Sequence, residues 1–488
     1  MSPALILLFI GLYFGILLLI AWLTGKNATN NTFFIGEKKS PWFIVAYGMI
    51  GASLSGVTFL SVPGWVKDTG FTYFMMVLGY FLGYLVIAKI LLPLYYRLNL
   101  TSIYSYLEQR FGFWAYKTGS VFFIISRVLG AAVRMFLVVM VLQFFVFDAW
   151  NVPFIVTAAL FISLILILTY NGGIKTIVYT DTLQTTFMLA AVIITLYVIC
   201  KDLNINLVGL YEKADIAGYT KLIETNWLKK THFIKYILSG MFITIVMTGL
   251  DQEMMQKNLS CKNIKDAQKN MLTFSAIIVV INLMFLFLGA AMYLYAQEKG
   301  ITLPDKSDKL FPTLAVNSLG AIAALSFIIG LISAAFPSAD GALTSLTTSF
   351  SIDLLRVDKR TDWSDDKKIR IRKNVHLGFA MLFLIVIVIL NTLNKKAIID
   401  TLFTIAGYTY GPLLGLYAFG LFTKRIPVDR YIPFMAILSP ILCYLIELTL
   451  KSTFKEYEFG FELLILNGFL MFLFLYLSSL KNKKTISL

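Results

Sequence analysis

Runs of apolar residues roughly 20 long recur along the whole chain, and a helix needs a run of that length to cross the hydrocarbon core of a bilayer. In lipid every backbone N–H and C=O must be satisfied internally, so only helices and closed barrels span it. A barrel strand alternates apolar and polar residues; these runs are continuous, so helices are expected. Thirteen runs qualify: 3–23, 41–65, 71–98, 119–147, 152–170, 176–201, 232–255, 271–295, 318–352, 375–392, 398–423, 431–450 and 461–480. The expected fold class is an all-α membrane protein with 13 transmembrane helices. Its 58% apolar and 14% charged residues exclude a soluble enzyme, a disordered chain and a collagen-like fibre. The first run has no basic segment before it and no small-residue cleavage site after it, so it reads as a span and not as a cleaved leader.

The charges orient the spans. The net charge is +15. In a membrane protein such an excess reflects basic cytoplasmic loops rather than a nucleic-acid partner. With the N-terminus outside, inside loops carry 25 Lys and Arg and outside loops 13, eight of the inside set falling in 353–374. The reverse orientation would invert that bias. The C-terminus, with Lys481, Lys483 and Lys484, is then cytoplasmic, and the expected location is the plasma (inner) membrane. Three scattered cysteines imply no disulfide framework, and two histidines, His232 and His376, make no metal or catalytic centre. Charges inside spans are costly and therefore candidates for function: Arg127, Arg134, Asp181, Asp340 and Glu447, with Asp251 and Glu253 at a helix end. Lys89 and Lys235 lie near enough to span ends to snorkel.

Two spans are interrupted. The second carries Gly48, Gly51, Gly56, Pro63 and Gly64 among Ser53, Ser55, Thr58 and Ser61; the seventh carries Gly240 and Gly249 beside Thr244 and Thr248. Small residues permit close helix packing, but discontinuous helices in transporters also expose backbone groups to substrate and ions. The two interrupted spans open two five-helix blocks, 41–201 and 232–423, which matches an inverted repeat. The expected organisation is one extra helix in 1–40, the first repeat, an extracellular loop at 202–231, the second repeat, and two further helices in 424–488. Gly407, Gly411, Pro412 and Gly415 suit either a gate or tight packing.

Four stretches, in order, carry a resemblance: TSIYSYLEQRFG at 101–112, GGIKTIVYTDTLQ at 172–184, DQEMMQKNLSCKN at 251–263 and GPLLGLYAFGLF at 411–422. The chain resembles the sodium:solute symporter family, whose members carry glucose, proline, pantothenate or sialic acid. The resemblance covers nearly the whole chain. It implies the leucine-transporter-type 5+5 inverted repeat, with Na⁺ as coupling ion, a small-molecule substrate and the lipid bilayer as partners, and no obligate protein partner.

Na⁺ is a hard cation and wants oxygen ligands. The resemblance implies a sodium site made by the carbonyls of Gly51 and Leu54 with the Ala334 carbonyl and the Ser338 hydroxyl. Family members have two adjacent hydroxyl residues where this chain has Pro337-Ser338. Proline frees the carbonyl one turn earlier, so Ser333 is offered as the replacement oxygen. The resemblance also sets Asp181 near that site, and places Asp340 and Gly341 where some members have second-site hydroxyls. Two facing carboxylates need a shared proton or a cation, so a second cation or proton site is expected at Asp181 and Asp340. The alternative is an ion pair of Asp340 with Arg127 or Arg134.

For the substrate, the resemblance points to Ser53, Ser55 and Thr58 on the second span, to Thr244, Met247 and Thr248 on the seventh, and to Val77, Gly79 or Tyr80 on the third. Arg134 falls near the position of an Arg that binds the substrate carboxylate in sialic-acid-type members. A guanidinium grips a carboxylate through two parallel hydrogen bonds, so an anionic solute or a salt bridge to Asp340 or Asp181 both answer to it. The expected function is a sodium-coupled symporter importing a sugar acid, amino acid or sugar by alternating access. The alternative is a proton-coupled symporter using Asp181 and Asp340. A membrane-embedded enzyme or a sensor is remote, because neither a nucleophile–base constellation nor an appended domain is found.

Overall fold

The structure is a computed structural model that describes residues 3–26, 29–393 and 398–480. Lys481, Lys483 and Lys484 lie outside the described residues. The main helices run in chain order as α1 (Pro3–Gly25), α2 (Trp42–Ser53), α3 (Gly56–Thr69), α4 (Tyr73–Arg97), α5 (Phe113–Leu142), α6 (Phe154–Thr169), α7 (Ile174–Asp202), α8 (Phe233–Gly249), α9 (Gln252–Leu259), α10 (Ile264–Glu298), α11 (Gly320–Leu354), α12 (Asp365–Leu393), α13 (Ile398–Phe422), α14 (Ile432–Thr453) and α15 (Leu463–Leu480). No extended strand occurs among the described residues; one isolated bridge joins Ser40 to Cys261. Among those residues nine helices are long and apolar enough to cross a membrane, eleven if each of two bent pairs counts as one span.

The bent pairs are the two interrupted spans. α2 and α3 meet at 58°, and α8 and α9 at 64°. At the first, Leu54 and Ser55 leave helical geometry, with Ser55 at ψ 168°. Pro63 lies further along, inside α3, and does not break it.

Burial sorts the helices into centre and rim. The apolar windows of α5 and α11 are 67% buried, those of α12 and α14 28%, and that of α1 17%. On the rim, Leu12, Leu19, Phe434 and Ile441 point outward. An outward apolar face is stable in lipid, where no hydrophobic penalty attaches to it.

Lipid offers helices no hydrophobic drive to associate, so close approach must come from small residues. The α4–α8 contact shows this. Gly79 and Gly83, one turn apart, lie under the backbone of α8, and Gly240 of α8 lies 3.2 Å from the Gly79 Cα when measured from the place of a missing Cβ. A methyl group at Gly79 would run into the Ile237 carbonyl, and one at Gly240 into that of Met76. The α7–α11 and α2–α7 pairs complete the centre.

Candidate functional site

At the first break the hydrogen-bond ladder stops with Leu54 N–H donating to Ile50 O at 2.9 Å. It resumes with Phe59 N–H donating to Ser55 O at 3.1 Å. The carbonyls of residues 51–54 fall between, outside the ladder. Gly51 N–H donates to Thr185 Oγ1 at 3.1 Å, and a Cβ on Gly51 would lie 3.2 Å from Pro337 Cγ. The end of α2 therefore abuts the middle of α11, where Ala334, Pro337 and Ser338 are buried. Ser338 Oγ donates to Ala335 O at 3.0 Å, which leaves its lone pairs able to accept. The Ser333 hydroxyl donates to Tyr13 OH at 2.8 Å. Carbonyl and hydroxyl oxygens are the donor type a hard cation such as Na⁺ takes.

The second break is built differently. Leu250 N–H donates to Ile245 O at 3.0 Å, and Asp251 then caps α9 by accepting from Glu253 N–H at 2.9 Å. The Gly249 carbonyl accepts from Tyr95 OH at 2.8 Å and the Leu250 carbonyl from Tyr104 OH at 2.9 Å. Side chains thus tie off the carbonyls here, whereas at the first break the ladder leaves them open.

Between the breaks lies a cavity of about 90 Å³. Ser53, Ser55, Thr58, Tyr80, Arg134, Thr244, Met247 and Thr248 all line it. The register left open on the third span is resolved: Tyr80 lines the cavity, while Gly79 packs against α8 and Val77 is fully buried. Sequence reasoning missed Tyr73, Tyr84, Arg127 and Asn282 in the wall. Tyr73 OH and Tyr80 OH are 3.0 Å apart, and Tyr84 OH is 3.3 Å from Ser53 Oγ. Arg134 makes no ion pair among the described residues, and its Nε has no hydrogen-bond partner there. The salt bridges considered for it, to Asp340 or Asp181, are not formed.

Beneath the cavity is a buried ionic cluster. Arg127 contacts Glu253 and lies 3.6 Å from Asp251 Oδ2, which also accepts from Tyr410 OH at 2.8 Å. Lys257 Nζ is 2.7 Å from Asp181 Oδ2 and 3.5 Å from Glu253 Oε1. These contacts correct one of the expected alternatives. Arg127 pairs with Asp251 and Glu253 and not with Asp340, because α9 brings both acids to α5. At the expected second site, the Lys257 ammonium engages Asp181 Oδ2, while Asp181 Oδ1 has no hydrogen-bond partner among the described residues. Lys257 is also 1% exposed, so it is no part of the cytoplasmic basic surface to which its position in the chain assigned it. Asp340 is 1% exposed and its Oδ1 has no partner among the described residues. Gly341 lets the Glu253 carboxyl carbon approach to 2.6 Å of where a Cβ would stand.

Known proteins share this architecture. The structure of a substrate-bound, outward-open Na⁺-coupled sialic acid symporter superposes with a TM-score of 0.85 over 99% of both chains, at 20% identity. The sodium/sialic acid symporter NanT of Aliivibrio fischeri is 22% identical over 421 residues, covering 85% of this chain and 82% of NanT. The sodium-dependent multivitamin transporter of Oryctolagus cuniculus is 26% identical over 410 residues, covering 82% of this chain and 62% of that protein. The family model described as "Sodium:solute symporter family" matches residues 33–429. The chain therefore belongs to the sodium:solute symporter family, as a multi-pass membrane transporter that couples the movement of a solute to that of Na⁺.

Proposed function

We propose that the protein imports a small carboxylated solute with Na⁺ by alternating access, through the cavity between the two helix breaks. The observation that carries this reading is Arg134. It faces a cavity lined by hydroxyls and has no counter-ion among the described residues. Arg134 is half-buried with its Nε unpartnered among the described residues; withdrawing a charge from water without a counter-ion is costly, and a bound carboxylate relieves that cost through charge-assisted hydrogen bonds. Relatives named for sialic acid and for monocarboxylates are consistent with an anionic solute.

In this reading Na⁺ is held by the carbonyls of Gly51 and Leu54, the Ala334 carbonyl and the Ser338 hydroxyl, beside Pro337. It ties α2 to α11, while the solute engages Ser53, Ser55, Thr58, Tyr80, Thr244, Met247, Thr248 and Arg134. Each ligand favours the same conformation, so each raises the affinity for the other. Thirteen spans arranged as two inverted five-helix repeats, with one helix before and two after, supply the rocking elements. The N-terminus lies outside and the C-terminus in the cytoplasm, as the basic loops favour.

Thermal stabilisation of the purified protein, scanned over sialic acid, amino acids, monocarboxylates and neutral sugars in NaCl and in KCl, tests the reading. Stabilisation by a carboxylated solute in NaCl alone is expected. Stabilisation by neutral sugars only would contradict the role of Arg134.

A further inference from the structure

The cavity presents an unpaired acceptor as well as unpaired donors. Arg127 Nε, Arg134 Nε and Asn282 Oδ1 belong to residues that line it, and each is a buried atom with no hydrogen-bond partner among the described residues. The two donors come from α5 and the acceptor from α10. Asn282 is 2% exposed. Its Nδ2 donates to the Ile278 carbonyl, one turn back on the same helix, at 2.8 Å. That bond assigns the amide nitrogen and leaves the oxygen as the free end of the side chain.

A buried acceptor left unpaired bears its full desolvation cost. Hydroxyls in the same wall are placed otherwise. Tyr73 and Tyr80 pair with each other at 3.0 Å, and Tyr84 pairs with Ser53 at 3.3 Å. The Asn282 oxygen has no such neighbour, so its donor must arrive with the solute.

We propose that Asn282 sets the specificity of the cavity: its amide oxygen accepts a hydrogen bond from a neutral hydroxyl of the solute while Arg134 holds the carboxylate. The proposal rests on the carboxylate reading of the cavity and names what else the solute carries. It ranks hydroxy acids above both plain carboxylates and amino acids. A plain alkyl carboxylate leaves the Asn282 oxygen buried and unpaired, and a site built to hydrogen-bond a group rejects the analogue that lacks it. An ammonium would satisfy the oxygen but bring a second positive charge. Among the described residues the wall holds two arginines and no acid. Asp251 and Glu253, beneath the cavity, are already engaged by Arg127. An ammonium would therefore meet like charge without compensation, which discriminates against it. A hydroxyl supplies the donor and no charge.

Calorimetric titration of the purified full chain in excess NaCl tests this with solutes matched in carbon skeleton: lactate, propionate and alanine, and gluconate against hexanoate. The wild type is expected to bind the hydroxy acid roughly 10- to 100-fold more tightly than its deoxy partner in at least one pair, and a hydroxy acid more tightly than alanine. Asn282→Leu keeps the approximate shape without the acceptor, and is expected to bind the two members of the pair with comparable affinity. Na⁺-dependent thermal stabilisation without solute reports whether that variant is folded. Asn282→Asp adds the missing acid and is expected to move the preference from lactate toward alanine. Equal affinity within both pairs in the wild type overturns the proposal and leaves the carboxylate reading in place. So does a folded Asn282→Leu protein that keeps the preference. Tighter binding of alanine than of either hydroxy acid overturns the neutral donor, and the proposal with it. Binding of none of these carboxylates would instead overturn the carboxylate reading on which the proposal rests.

Discussion

Gly51 lies directly against Pro337: a Cβ on the glycine would stand 3.2 Å from the proline Cγ and 2.6 Å from Thr185 Oγ1. The end of α2 and the middle of α11 can therefore meet only at a residue without a side chain. Gly51→Ala forces them apart by a few tenths of an ångström and displaces the open carbonyls of the break. Its Na⁺ half-saturation is expected to rise about tenfold, equivalent to ~1.4 kcal/mol. Titration of Na⁺-dependent thermal stabilisation checks this, and an unchanged midpoint would show that the site lies elsewhere.

Arg134 faces the cavity without a counter-ion among the described residues. Hydrogen bonds to charged groups contribute about 1.5–3 kcal/mol. Arg134→Gln should therefore weaken binding of a carboxylated solute roughly 10- to 100-fold and leave Na⁺ binding in the absence of solute unchanged. Arg134→Lys keeps the charge but loses the two-pronged geometry and should fall between. Isothermal titration of the solute in saturating Na⁺ reads all three proteins.

The α4–α8 contact is held by glycines, so it should respond to bulk and not to polarity. Gly240→Ala places a methyl group against the Met76 carbonyl. Overpacking of this kind costs about 1–3 kcal/mol. The purified variant should melt measurably below the wild type, whereas Gly218→Ala, at a position with no atom within 4 Å but with φ at +77°, should show only the smaller cost of a strained loop backbone. Equal melting of Gly240→Ala and wild type would contradict the packing described.

Outside the spans, Glu224 gathers the loop before α8. It accepts from Lys221 Nζ at 2.9 Å, from Asn226 N–H at 3.0 Å and from Lys229 Nζ at 3.2 Å. These donors, Lys221 first, pull its carboxyl from the ordinary 4.5 down to about 2. The folded value lies below the unfolded one, so the stabilisation is fully present above about pH 4.5 and is lost as the pH falls toward 2. Limited proteolysis of the detergent-solubilised protein should find this loop equally protected from pH 8 to pH 5. Glu224→Gln should lose part of that protection at neutral pH.

The breaks were legible because helices in lipid break only where the sequence allows it. Glycines and hydroxyls crowd into the second and seventh spans, where both breaks fall; the residues of the cavity wall were named by the resemblance to the family. Tyr73, Tyr84 and Asn282 were not legible, because a tyrosine in an apolar span reads as packing until a neighbouring helix gives its hydroxyl a partner. The ionic cluster was hidden for a different reason. Lys257 and Asp181 are 76 residues apart, and neither lies in a local pattern that names the other. Counted by position, Lys257 belonged to a cytoplasmic loop. The available signal was the run DQEMMQK at 251–257, three charges on a segment adjoining an apolar span, which implies partners on neighbouring helices.

Uptake of labelled sialic acid and of simpler carboxylates into proteoliposomes, driven by an inward Na⁺ gradient, tests the central claim most directly. Accumulation of a carboxylated solute above its external concentration is expected with the Na⁺ gradient. With K⁺ in place of Na⁺, or with Arg134→Gln, that accumulation should be lost. Equal uptake in Na⁺ and K⁺, or accumulation indifferent to Arg134, would contradict the account.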